Sequence, residues 1–172
     1  MPDSLMKNIL LLLTLLVFVS CSKSDEPLLV KLKDAVDASE KNEAGYEVVD
    51  LAQLTDFEWE TVYYFHQLDE KNFISRIIGF KWVGDAVPNL HRRLLFVNKG
   101  EVVSYVDYDY RELPFTLYGC ADDRWVYPSS RAKFATFKYC KGEEHILPLI
   151  PVACISDFKE MIDKECPVLN VE

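Results

Sequence analysis

Fourteen residues in the middle of the chain, 93–106, constrain the fold more than any other stretch. Arg93-Leu94-Leu95-Phe96-Val97 and Val102-Val103-Ser104-Tyr105-Val106 are both rich in β-forming residues, and Asn98-Lys99-Gly100-Glu101 stands between them. Asn followed closely by Gly between two such runs specifies a β-hairpin, with Gly100 taking the positive φ of a tight turn.

Neighbouring segments add strands and helices. Residues 57–65 alternate, with Phe57, Trp59, Thr61, Tyr63 and Phe65 on one face and Glu58, Glu60, Val62 and Tyr64 on the other, the pattern of a half-buried strand. Further strands are expected at 115–120, 124–127 and 132–140. Asp25-Glu26-Pro27 opens a helix with Leu28, Leu29, Leu32 and Val36 on one face, and residues 37–45 read as a polar loop. Asp69 is expected to cap a second helix through Ile78, with Phe73, Ile74, Ile77 and Ile78 inward and Gly79 at its end. Ser156 is expected to cap a third, with Phe158, Met161, Ile162 and Cys166 on one side. The sum is an α+β fold, a mainly antiparallel sheet with a central hairpin packed by two or three helices.

The apolar run from Ile9 to Val19 is 11 residues long, about half of what a spanning helix needs. A short apolar run before a small residue is the mark of an export signal. Asp3 opposes the positive start of such a signal, and Met6-Lys7 would make a better beginning. The residues Val17-Phe18-Val19-Ser20-Cys21 resemble the lipobox of bacterial lipoproteins, with Phe18 where Leu is usual and Val19 where a smaller residue is common. The resemblance implies that residues 1–20 are removed and that Cys21 becomes the lipidated first residue, anchored through acyl chains such as palmitate. An ordinary cleaved signal with an incidental cysteine, or an uncleaved anchor, is the alternative. Ser22 in place of Asp implies the outer membrane, on its periplasmic or surface face. The expected organisation is a signal at 1–20, a tether with a short amphipathic helix at 21–45, and one α+β domain at 46–172.

Four cysteines follow Cys21: Cys120, Cys140, Cys154 and Cys166. An even number in an oxidising compartment implies two disulfides, and proximity favours Cys120–Cys140 with Cys154–Cys166. Zinc with His145 as a further ligand is the rival reading, but no C-x₂₋₄-C pair is present, and neither is a redox C-x-x-C.

The chain has a net charge of −9. Removing residues 1–20 leaves it unchanged, because Asp3 and Lys7 go together. With no basic run, nothing indicates nucleic acid. The charge would also be repelled by anionic lipid, so acyl chains on Cys21 rather than the surface should hold the protein at the membrane.

The strand Glu58-Trp59-Glu60 leading to Val62-Tyr63, followed by a helix, Trp82 and the hairpin, is loosely similar over residues 55–110 to small bacterial envelope lipoproteins without an assigned activity. The resemblance implies a fold and carries over no functional residue.

Candidate chemistry is sparse. Asp107 and Asp109 alternate with Tyr108 and Tyr110, so both acids share one strand face and could hold Ca²⁺ or form an acid/base pair; acids dressing an exposed strand explain them equally well. Asp122-Asp123 is expected in a turn. His91-Arg92-Arg93 is the one local basic cluster; it could receive a phosphate or carboxylate, but a charged strand entry pairing with neighbouring acids is the commoner meaning of such a cluster. His66 and His145 are isolated, and no nucleophile elbow, Walker loop, Rossmann glycine pattern or H-E-x-x-H occurs. No catalytic residue, metal or cofactor is therefore expected.

Aromatic residues are more suggestive. The chain has 10 Phe, 9 Tyr and 3 Trp, and Tyr and Trp suit interfaces. Tyr64, Tyr105, Tyr118 and Trp125 fall opposite the expected core positions, on a face that is either covered by helices or open to a partner. Tyr64, Tyr105, Trp125, Asp107 and Asp109 are thus the candidate binding residues. The leading expectation is a membrane-anchored envelope protein binding a protein or glycan without catalysis. An inhibitor of a toxin or lytic enzyme, and a hydrolase combining Asp107 or Asp109 with Glu58 or Glu60, are the alternatives.

Overall fold

A computed structural model describes residues 24–37, 44–120, 123, 125–142 and 144–164. Cys21, Asp122, Cys166 and the expected signal at 1–20 lie outside the described residues. The fold is α+β, built on two mainly antiparallel sheets.

The first sheet forms around the hairpin. Strands β3 (His91–Asn98) and β4 (Glu101–Asp109) pair antiparallel, joined by Lys99 and Gly100. Both turn residues have positive φ, 49° and 77°, the geometry that matches the right-handed twist of the flanking strands. β2 (Thr61–Phe65) pairs with β3, and β6 (Val126–Pro128) with β2, giving the order β4-β3-β2-β6. The second sheet has the order β1-β7-β9-β5, with β8 on β9. Its strands are β1 (Glu47–Asp50), β5 (Phe115–Leu117), β7 (Lys133–Thr136), β8 (Tyr139–Lys141) and β9 (Glu144–Pro151). β5 and β9 run parallel.

Three apolar clusters follow from this layering. The largest lies between the sheets, where Val62, Tyr64, Leu94, Phe96, Val106 and Tyr108 meet Phe115, Leu117, Phe134 and Leu149. Leu28, Leu32 and Val36 of helix α1 (Glu26–Asp37) complete it, so this helix belongs to the domain core and not to a tether ahead of it. Helix α2 (Leu51–Leu54) adds Leu51. The outer face of the first sheet is covered by helix α3 (Lys71–Ile78) and the loop after it: Ile74, Ile78, Trp82 and Val87 pack on Phe65, Leu95, Val97 and Tyr105. Gly84 makes this cover possible, because a Cβ there would lie 2.1 Å from the Trp82 ring. The outer face of the second sheet is covered by the 3₁₀ segment Val152–Phe158 and helix α4 (Lys159–Ile162), with Phe158, Met161 and Ile162 packed there.

Local expectations are modified where tertiary structure intervenes. Asp25 does cap α1, its carboxylate accepting the Leu28 N–H at 3.0 Å. Asp69 instead accepts from the His66 N–H at 2.8 Å, and Glu70 starts α3 without a side-chain cap. Phe73 and Ile77, expected inward, are exposed. Ser156 lies inside the 3₁₀ segment and caps nothing. The strand expected at 57–65 begins only at Thr61 and buries residues of both faces, because both faces of its sheet are covered.

The disulfide expectation is overturned. Cys120 is bonded to Cys154, with Cα atoms 5.9 Å apart, so neither neighbouring pair forms as expected. The parallel register is the physical reason. Leu117 stands opposite Leu149, and the two chains leave the sheet side by side, bringing Cys120 to Cys154 within a few residues.

Candidate functional site

Arg92 and Arg93 are adjacent on β3 and, by the strand's period of two, point to opposite faces. Arg93 is 1% exposed. Its guanidinium bonds both oxygens of Asp107 at 2.7 Å, donates to the Asp85 carbonyl at 2.7 Å, and lies between Trp82 and Tyr105 with centroids at 5.4 and 4.6 Å. Every part of this group is engaged in holding the loop over the sheet.

Arg92 points into the space between the sheets, where their ends diverge. Its guanidinium stacks on the Tyr110 ring at 4.7 Å, and its charge favours ionisation of the nearby Tyr64 phenol. Among the described residues it makes no ion pair. It lines a cavity of about 400 Å³ together with Tyr110, Arg111, Phe115, Thr116, His145 and Ile146. β3 and the end of β4 form one wall, and β5 and β9 the other. Among the described residues no carboxylate lines this cavity, although the chain carries a net charge of −9.

Behind Arg92 lie two buried phenols. The Tyr108 hydroxyl donates to the Phe115 carbonyl at 3.3 Å, and Tyr64 is buried in the same cluster. Burial pushes both phenols up, Tyr108 strongly, so both are neutral donors at physiological pH. His66 packs edge-on against Tyr64 and Trp125, at 5.1 and 5.7 Å. Burial, then the Arg92 charge, lower its pKa, against a smaller upward pull from Asp69. At the rim, Arg111 grips the Asp109 carboxylate and holds it well below the usual carboxylate range. His145 Nδ1 lies 3.2 Å from Cys140 Sγ.

The aromatic residues expected to lie together opposite the core, on a face either covered or open, do not share a face. Tyr64 is 5% exposed in the core between the sheets, and Tyr105 is 8% exposed beneath the loop on the other side. Tyr118 packs on Phe158 at 5.8 Å. Only Trp125, at 37%, remains exposed. The acids do share one face, but each is engaged: Asp107 by Arg93 and Asp109 by Arg111. Glu60 lies at the far end of β3, accepting from the Lys99 N–H at 3.1 Å. Five residues of strand separate it from the level of Arg93 and Asp107, roughly 17 Å, whereas paired glycosidase carboxylates stand within ~10 Å. Among the described residues no group of three His, Cys, Asp or Glu could hold a metal ion.

Arg92 stood out in the sequence only as a member of the His91-Arg92-Arg93 cluster. Tyr110, Arg111, Thr116 and Ile146 carried no local signal, because the cavity exists only where two sheets meet. No family model, curated protein or solved structure matches this chain.

Proposed function

We propose that the protein is a lipid-anchored envelope protein that binds, without chemical conversion, a small solute or glycan terminus carrying a carboxylate or phosphate. The observation that carries this reading is Arg92, a stacked guanidinium that, among the described residues, has no ion pair and lines a cavity without a carboxylate, in an acidic chain. A planar guanidinium fixed by an aromatic ring suits two-pronged bonding to an oxyanion. Tyr110 offers a flat apolar surface beside it, and Thr116 and the His145 ring also line the cavity. The envelope address rests on the lipobox-like residues ending at Cys21.

Calorimetric titration of the lipidated chain in detergent with glucuronate, glucose 6-phosphate and neutral glucose tests the reading. At least one acidic ligand should bind where glucose does not. Arg92→Glu should weaken it about tenfold or more, the range for a hydrogen bond to a charged partner. Equal binding of acidic and neutral sugars, or an Arg92→Glu variant that binds as well, would sink it.

A further inference from the structure

The described residues begin at Ser24, three residues after Cys21. At that point the chain is fastened to the free edge of β4, the edge strand of the first sheet. The Asp25 N–H donates to the Tyr105 carbonyl at 2.8 Å, and the Asp107 N–H donates to Ser24 Oγ at 2.9 Å. The Asp25 carboxylate joins strand to helix, accepting from the Ser104 hydroxyl at 2.9 Å and from the Leu28 N–H at 3.0 Å. These four bonds form a clasp that uses the β4 edge groups a sheet must otherwise protect.

From this clasp we infer that the β4 edge is a membrane-apposed surface, whose partner is the lipid headgroup layer that receives the acyl chains. The inference rests on lipidation at Cys21. Three residues of fully extended chain reach no more than about 11 Å. The radius of gyration of a domain this size is ~15 Å, so such a tether cannot let it swing away or turn over. The exposed aliphatic residues Val83 and Val103 flank the clasp. Val103 adjoins Ser104 on β4, and Val83 follows Trp82, whose ring packs on Tyr105 at 5.5 Å. Tyr110 and Arg111 lie three and four residues beyond Asp107, which keeps the Arg92 cavity within roughly 25 Å of the anchor. Its ligand is therefore met at the bilayer surface.

The test uses the full lipidated chain in vesicles of phosphatidylethanolamine and phosphatidylglycerol containing a headgroup nitroxide lipid. A genetically encoded fluorescent side chain is placed either at Val103 or at Ser130, which is exposed beside β6 on the opposite edge of the sheet. Three strand spacings, ~14 Å, separate the two edges. Val103 should be quenched several-fold more strongly than Ser130. A Gly/Ser spacer of about twenty residues between Lys23 and Ser24, with a span of ~25 Å, should erase the difference without changing the melting temperature. Equal quenching with the native tether would overturn the orientation while leaving the anchor intact. An intact-mass spectrum without acyl chains on Cys21 would instead overturn the anchor, and the orientation with it.

Discussion

Arg92 and Arg93 follow one another in sequence and differ in nearly everything that decides their use. Arg93 faces the closed side of the first sheet, where two carboxylate oxygens, a backbone carbonyl and two aromatic rings surround it. Arg92 faces the side where the sheets part, with one ring and one phenol for company. A strand's alternation sends neighbours to opposite layers, and the layers here have different covers. The contrast teaches that a basic pair in a β-rich segment is two separate groups. One is consumed by the fold; the other has no counter-ion among the described residues.

The sharpest way to break that contrast is to strand the closed guanidinium. Asp107→Ala leaves Arg93 buried without its counter-ion, and losing one partner of such a pair costs roughly 3–5 kcal/mol. Arg92→Ala removes a ring contact at a partly open site, worth about 1 kcal/mol or less. Urea denaturation of both variants checks this. Comparable losses would mean that Arg92 is as structural as Arg93.

Next in size is the bridge behind the open side. Cys120 follows β5 and Cys154 follows β9, the two strands that supply Phe115, Thr116, His145 and Ile146 to the cavity. The bridge spans a sequence separation of 34 residues, for which the chain-entropy model gives about 3–4 kcal/mol. Cys120→Ser with Cys154→Ser should lower stability by that amount and weaken anion binding beyond what Arg92 alone explains. Peptide mapping without reduction should recover the 120–154 linkage; recovery of a 120–140 linkage would contradict the register of β5 on β9.

The hairpin was legible because its turn chemistry and both strands lie within 14 contiguous residues. The start of α1 at Asp25-Glu26-Pro27 and the end of α3 at Gly79 were legible for the same local reason. β9 was not, because Pro148 and Pro151 interrupt what would otherwise read as a strand; Pro148 sits opposite Thr116 in a parallel pair and Pro151 at the strand's end. Once β9 was missed, the Cys120–Cys154 pairing and the place of His145 beside Arg92 were out of reach. The aromatic face failed for a related reason. Alternation separates two faces but does not say whether the second is wet, and α3 with its following loop keeps Tyr105 dry.

The smallest effect is the most specific to the open side. His66 has a pKa below the ordinary 6.5, caused first by burial and then by the Arg92 charge. The fold therefore favours the neutral ring, while the unfolded chain takes up its proton sooner. This contribution to stability is fully present above about pH 6.5 and is lost as the pH falls through the lower folded value. Replacing Arg92 by Gln removes one of the downward causes, so the His66 ring should titrate at a higher pH by NMR, and the loss on the acid side should shrink. An oxyanion bound at Arg92 should move His66 the same way in the unmodified protein, because it offsets the same positive charge. Arg93 is not among the groups that shift His66, so an oxyanion that moves His66 must act from the open side. A titration unmoved by both Arg92→Gln and the ligand would mean that the Arg92 charge is already neutralised from within, and that the open side is less open than its geometry indicates.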